Sequence, residues 1–130
     1  MSDSIPEASP DDPPRRRLIL VEDDEGVRRS LQLLLAWRGF DVRSYASAAS
    51  AIGHLSEDQD SDALVIDYRL PDGDGIGLLR ALRRTGWSGR SVLITAFSSK
   101  TLIDAALASG FDAVLEKPLR QQELFHALAI

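Results

Sequence analysis

Four short apolar runs in this chain each end on a polar residue, and helical patterns fill the gaps between them. Leu18–Val21 leads into Glu22 and Asp23, and Ala63–Ile66 leads into Asp67. Val92–Ile94 leads into Thr95, and Ala113–Leu115 leads through Glu116 into Lys117. Strands that alternate with helices build a parallel sheet, because parallel neighbours need a crossover between them. The carboxyl ends of such strands share one edge, and ligands bind in the crevice there. Three carboxylates, a hydroxyl and an ammonium are therefore expected to converge, a set able to bind a divalent cation and a phosphoryl group.

The remaining elements follow from spacing and punctuation. The first strand covers about Leu18–Glu22, and Asp24 caps a first helix that Gly39 stops, with Val27, Leu31, Leu34 and Leu35 on one face. Leu33 and Trp37 lie at the margin of that stripe. Phe40–Tyr45 is a second strand, and Ser47 caps a second helix running to about Leu55. Ser56–Asp62 reads as an acidic, polar loop before the third strand, Ala63–Asp67. Pro71, Gly73 and Gly75 make Tyr68–Gly75 a turn, with Asp72 as a turn residue and Asp74 as the cap of a third helix ending near Gly86. A fourth strand covers Ser91–Thr95, Ser98 or Ser99 caps a fourth helix ended by Gly110, and a fifth strand covers Asp112–Glu116. Pro118 breaks the chain, and a fifth helix runs from about Gln121.

Strands 1, 3 and 4 are apolar on both faces, as central strands are, whereas FDVRSY alternates and suits an edge. The expected fold is α/β: a flavodoxin-like (βα)5 three-layer sandwich on a parallel five-stranded sheet in the order 2-1-3-4-5. Its switch point falls between strands 1 and 3, where Asp23 and Asp67 lie.

At 130 residues the chain is long enough for one hydrophobic core. Residues 1–16, rich in Pro, Ser and Asp, are expected as a disordered arm, and residues 17–130 as the folded domain. There is no cysteine, so disulfides and thiolate metal sites are excluded. No apolar stretch reaches membrane-spanning length, and MSDSIPEASP lacks the features of a signal peptide, so a cytoplasmic location is expected. A net charge of −5 argues against non-specific nucleic-acid binding by this domain. Arg15–Arg17, the one basic cluster, flanks the first strand. His54 and His126 are too far apart for a metal pair, and Trp37 and Trp87 read as partial core or interface residues.

LILVEDD (18–24), LVIDYRLPDGDGIGLL (64–79), VLITA (92–96) and LEKPL (115–119) together resemble the receiver domain of two-component response regulators. The resemblance spans nearly all of the chain beyond residue 16. It implies that Asp67 accepts a phosphoryl group from a phosphohistidine on a sensor histidine kinase or phosphotransfer protein. It implies Mg²⁺ as cofactor, with Glu22 and Asp23 as the acidic pair, Asp23 and Asp67 as metal ligands, and the Arg69 backbone carbonyl as a further ligand. Thr95 matches the switch hydroxyl and Lys117 the phosphate-contacting lysine, followed by a cis bond to Pro118. The protein would be a phosphoacceptor regulator rather than an enzyme acting on a separate substrate. Its output would be a changed face of helix 4, strand 5 and helix 5, with a homodimer on phosphorylation as one form of it.

The chemistry of these residues agrees with that assignment. A carboxylate and a phosphoryl dianion repel, and Mg²⁺ between Asp23 and Asp67 neutralises both. Lys117 adds a point charge for a phosphoryl oxygen, and Thr95 a hydrogen bond. Without metal, the clustered carboxylates raise one another's pKa values. A phosphoaspartate hydrolase of the haloacid dehalogenase type needs a second Asp two residues after the nucleophile, where this chain has Arg69. A flavodoxin-like mononucleotide binder needs a Ser/Thr/Gly-rich loop after strand 1, where EDDE would repel phosphate. Four positions depart from the family pattern: Val114 replaces the usual Tyr or Phe, Arg69 and Phe97 are bulky neighbours of the acceptor, and Arg120 stands where a Ser or Asp cap is typical.

Overall fold

A computed structural model of the chain describes residues 10–11 and 15–130. The expected arm falls largely outside the described residues. Five strands form one parallel sheet: β1 (Arg16–Val21), β2 (Phe40–Tyr45), β3 (Ala63–Asp67), β6 (Arg90–Thr95) and β7 (Ala113–Glu116). Their spatial order is β2-β1-β3-β6-β7, the 2-1-3-4-5 arrangement expected from the strand faces. A two-residue hairpin, β4 (Arg69–Leu70) with β5 (Gly73–Asp74), closes the turn after β3. The helices are α1 (Glu25–Trp37), α2 (Ala48–Gly53), α3 (Leu55–Asp58), α4 (Gly75–Arg84), α5 (Lys100–Ala108) and α6 (Gln121–Ala127).

Strand alternation splits the core into two layers. Ile19, Val21, Leu64, Ile66 and Leu93 face α2, α4 and α5, where Ala51, Leu78, Leu79, Leu82 and Ala106 meet them. Leu18, Leu20, Ala63, Val65, Val92 and Ile94 face α1 and α6, meeting Leu31, Leu35, Leu124, Ala127 and Leu128. Truncating one of these buried leucines to Ala costs about 2–5 kcal/mol. The caps are those read from the sequence. Asp24, Ser47, Asp74 and Ser99 each accept a backbone N–H of the first helical turn, whereas Arg120 caps α6 with no side-chain bond.

Two expectations are corrected. Ser56–Asp62 is not all loop, because α3 carries helix from Leu55 to Asp58 after a break at His54. Within that acidic stretch Asp58 is buried, and the Tyr45 hydroxyl donates to its Oδ2. The two tryptophans also part company. Trp87 is buried and donates Nε1–H to Ser61 O, while Trp37 is 64% exposed at the end of α1. His54 stacks on Tyr45.

Candidate functional site

Parallel register assembles the site. Val21 pairs with Ile66, Asp67 with Ile94, and Thr95 with Glu116. The next residue beyond each paired end is therefore carried to the same edge, which gathers Glu22, Asp67, Thr95 and Lys117. Glu22 N donates to Tyr45 O and Lys117 N to Thr95 O, so the strand ends stay tied where the ladders stop. Gly75 lets α4 begin tight against the acceptor strand, since a Cβ there would stand 2.8 Å from Asp67 O.

Glu22 and Thr95 are buried and Asp67 is 7% exposed, while Asp23 and Arg69 open to solvent. Lys117 Nζ donates to Asp67 Oδ2 at 2.8 Å and to Glu22 Oε1 at 2.9 Å. Arg69 N donates to Asp67 Oδ1 at 3.3 Å. Burial pushes the Glu22 carboxyl up to about 8, helped by the neighbouring Asp67 carboxylate and opposed by Lys117. Burial works against the Lys117 cation, yet Asp67 and Glu22 outweigh it and hold the ammonium above its ordinary value. The Thr95 hydroxyl is turned into its own loop: Oγ1 donates to Phe97 O at 3.1 Å and accepts from Phe97 N at 3.2 Å.

Glu22, Asp23 and Asp67 each offer an oxygen within 4.8 Å of the others. Glu22 Oε2 is buried and has no hydrogen-bond partner. An oxygen-only donor set with one unsatisfied buried oxygen fits a hard, hydrated divalent cation. A cavity of about 220 Å³ opens over Asp23 and Asp67, with Arg69, Thr95 and Phe97 in its wall. The bond from Lys117 to Pro118 is cis. All the side chains singled out from the sequence for this edge are thus gathered at it. Val114 is half-buried in β7, and Phe97 is 79% exposed at the cavity wall.

The sequence matches the family model of the response regulator receiver domain over residues 18–129. The chain belongs to that family. Receiver domains are the regulatory modules of two-component systems. This one is 35% identical over 108 residues to the response regulator MprA of Mycobacterium avium (strain 104), a match covering 83% of this chain and 47% of that protein. The chain spans about half the length of the curated relatives it matches. It superposes on the signal receiver domain of an HD domain-containing protein from Pseudomonas fluorescens Pf-5 with a TM-score of 0.81 at 28% identity, covering 89% of this chain and 93% of that one. FixJ-N gives a TM-score of 0.78 at 29% identity, covering 88% and 90%.

Three contacts around this receiver site had no signal in the sequence. Arg28 reaches from α1 to the Glu22 and Asp23 carbonyls. Asp72, read as a turn residue, accepts from Ala48 N and Ala49 N at the start of α2. Ser98 donates to Glu116 Oε2 at 3.0 Å, tying the loop after β6 to the end of β7. Each joins residues far apart in the chain or on different elements, so periodicity does not report it.

Proposed function

We propose that this receiver is a phosphorylation-dependent switch in which Asp67 is the phosphoryl acceptor. The observation that supports it most is the paired contact of Lys117 with Asp67 and Glu22 at the carboxyl edge of the sheet, beside the exposed acid Asp23. The Asp67 carboxylate attacks phosphorus in line, forming a P–O bond as the P–N bond of a phosphohistidine donor breaks. The electron pair of that bond returns to the donor's imidazole. Glu22, Asp23, Asp67 and the Arg69 backbone carbonyl would hold Mg²⁺, which when bound offsets the repulsion between nucleophile and phosphoryl group. Lys117 then exchanges a carboxylate oxygen for a phosphoryl oxygen. Thr95 leaves Phe97 to meet the same group, and the loop leading to α5 moves with it.

The donor is a sensor histidine kinase or a phosphotransfer protein. An apolar groove of about 560 Å³, walled by Val27, Leu31, Pro118 and Leu119, reaches Lys117 and offers such a protein a footing. No helix among the described residues is long and apolar enough to cross a membrane. We place the protein in the cytoplasm, acting through the α5–β7–α6 face on an output or partner. The test is labelling by acetyl phosphate. Labelling that needs Mg²⁺ and vanishes in Asp67→Asn is expected. Undiminished acid- and base-labile phosphate in that variant would overturn the reading.

A further inference from the structure

We propose that Arg28 is a positioning residue for the metal site, bracing the backbone that carries Glu22 and Asp23. The inference rests on the metal-site reading above and extends it to a residue that touches neither metal nor phosphoryl group. Arg28 Nη1 donates to Glu22 O at 2.8 Å and to Asp23 O at 3.3 Å. Its backbone N donates to Asp24 O at 2.9 Å. One residue thus secures three consecutive carbonyls in the segment joining β1 to α1.

Asp23 needs such a brace. Its side chain is exposed and makes no hydrogen bond or ion pair among the described residues. Nothing but the backbone therefore aims its carboxylate towards Asp67. A looser segment would let it swing into solvent, and each metal ion bound would have to order it again. Glu22 is held differently, by burial and by Lys117.

The contact is also not one that charge alone would choose. Arg28 lies in the second turn of α1, near the positive end of the helix dipole, where a cation is disfavoured. Acids surround it at Glu22, Asp23, Asp24 and Glu25, yet the guanidinium forms no ion pair among the described residues and takes two carbonyls instead. Side chains on a helix lean towards its N-terminus, which gives Arg28 the reach.

Charge and positioning predict opposite outcomes. Removing a cation beside a dication site strengthens metal binding if electrostatics alone matter. Removing a brace weakens it, and outer-sphere partners of metal ligands typically contribute about 10–100-fold in affinity. The experiment is a Mg²⁺ titration of wild type, Arg28→Met and Arg28→Lys by calorimetry, with amide NMR of residues 22–24. We expect Arg28→Met to bind Mg²⁺ about tenfold more weakly, with Arg28→Lys intermediate. Acetyl phosphate labelling of Arg28→Met should return to the wild-type rate once Mg²⁺ saturates.

Equal or tighter Mg²⁺ binding by Arg28→Met would overturn the inference, as would a labelling rate that saturating Mg²⁺ fails to restore. If Arg28→Met does not fold, Arg28→Lys decides: weaker binding supports the brace and wild-type binding refutes it. No Mg²⁺ binding by the wild type would overturn the metal-site reading itself and this inference with it. Binding by wild type with no effect of Arg28 would overturn the inference alone.

Discussion

Lys117 Nζ lies 2.8 Å from Asp67 Oδ2, although the two residues are 50 positions apart in the chain. The same ammonium holds Glu22 Oε1, so one cation serves two buried carboxylates. The two acids repel each other across that one cation until a metal arrives. Asp67→Asn keeps the shape, removes that repulsion and leaves Lys117 paired with Glu22. In a metal chelator this variant should match or exceed wild-type stability, by up to about 1 kcal/mol. Urea unfolding checks it. A clear loss of stability would mean that the pair with Asp67 holds the fold together.

Arg83 makes a different kind of contact, remote from the acceptor. Its guanidinium lies 4.8 Å from the Trp87 ring centroid and donates to Gly89 O at 3.0 Å and Trp87 O at 3.3 Å. Arg83→Met loses stacking and leaves carbonyls unpaired, a cost of about 2 kcal/mol. The urea midpoint should fall accordingly, with the acetyl phosphate labelling rate unchanged. A change in that rate would couple α4 to the site more tightly than these contacts suggest.

Asp72 supplies the pH dependence. The N–H groups of Ala49 and Ala48 hold its carboxyl below its ordinary value of 3.8. A group whose pKa is lower in the folded state stabilises the fold above its unfolded value, and that contribution is lost as pH falls through the folded value. Asp72→Ala should therefore be less stable than wild type near neutral pH, and the gap should close on acidification below about pH 4. Urea unfolding across that range measures it. A gap that is independent of pH would show that the carboxylate charge plays no part in holding α2.

The two tryptophans should report separately. Trp37 is exposed and Trp87 is 2% exposed with its indole N–H bonded to Ser61 O. Trp37→Ala should change stability by no more than about 0.5 kcal/mol, while Trp87→Phe leaves Ser61 O without its donor and costs about 1–3 kcal/mol. Iodide should quench the emission of Trp37 and spare that of Trp87. Equal quenching of both would contradict the burial of Trp87.

Much of this was readable because the informative residues are local. An apolar run shows a strand, and the residue ending it lies at the sheet edge whatever the rest does. Asp24, Ser47, Asp74 and Ser99 announce helix starts for the same reason. The burial of Asp58 is not legible in the sequence, because its partner, the Tyr45 hydroxyl, comes from another element. Asp72 is 24 residues from Ala48, and nothing in a turn motif names a helix terminus as its partner. Arg28 lies close to Glu22 in sequence, yet an arginine on an amphipathic helix reads as solvated until its side chain is traced to the carbonyls.

Asp67, and no neighbouring acid, is expected to take the phosphoryl group. Borohydride reduces an aspartyl phosphate to homoserine, so the position of homoserine marks the acceptor. Wild-type protein treated with acetyl phosphate and Mg²⁺, reduced and sequenced by mass spectrometry, should carry homoserine in place of aspartate at position 67. Homoserine at Asp23 with Asp67 intact, or none anywhere in protein that binds Mg²⁺, would rule out Asp67 as the acceptor.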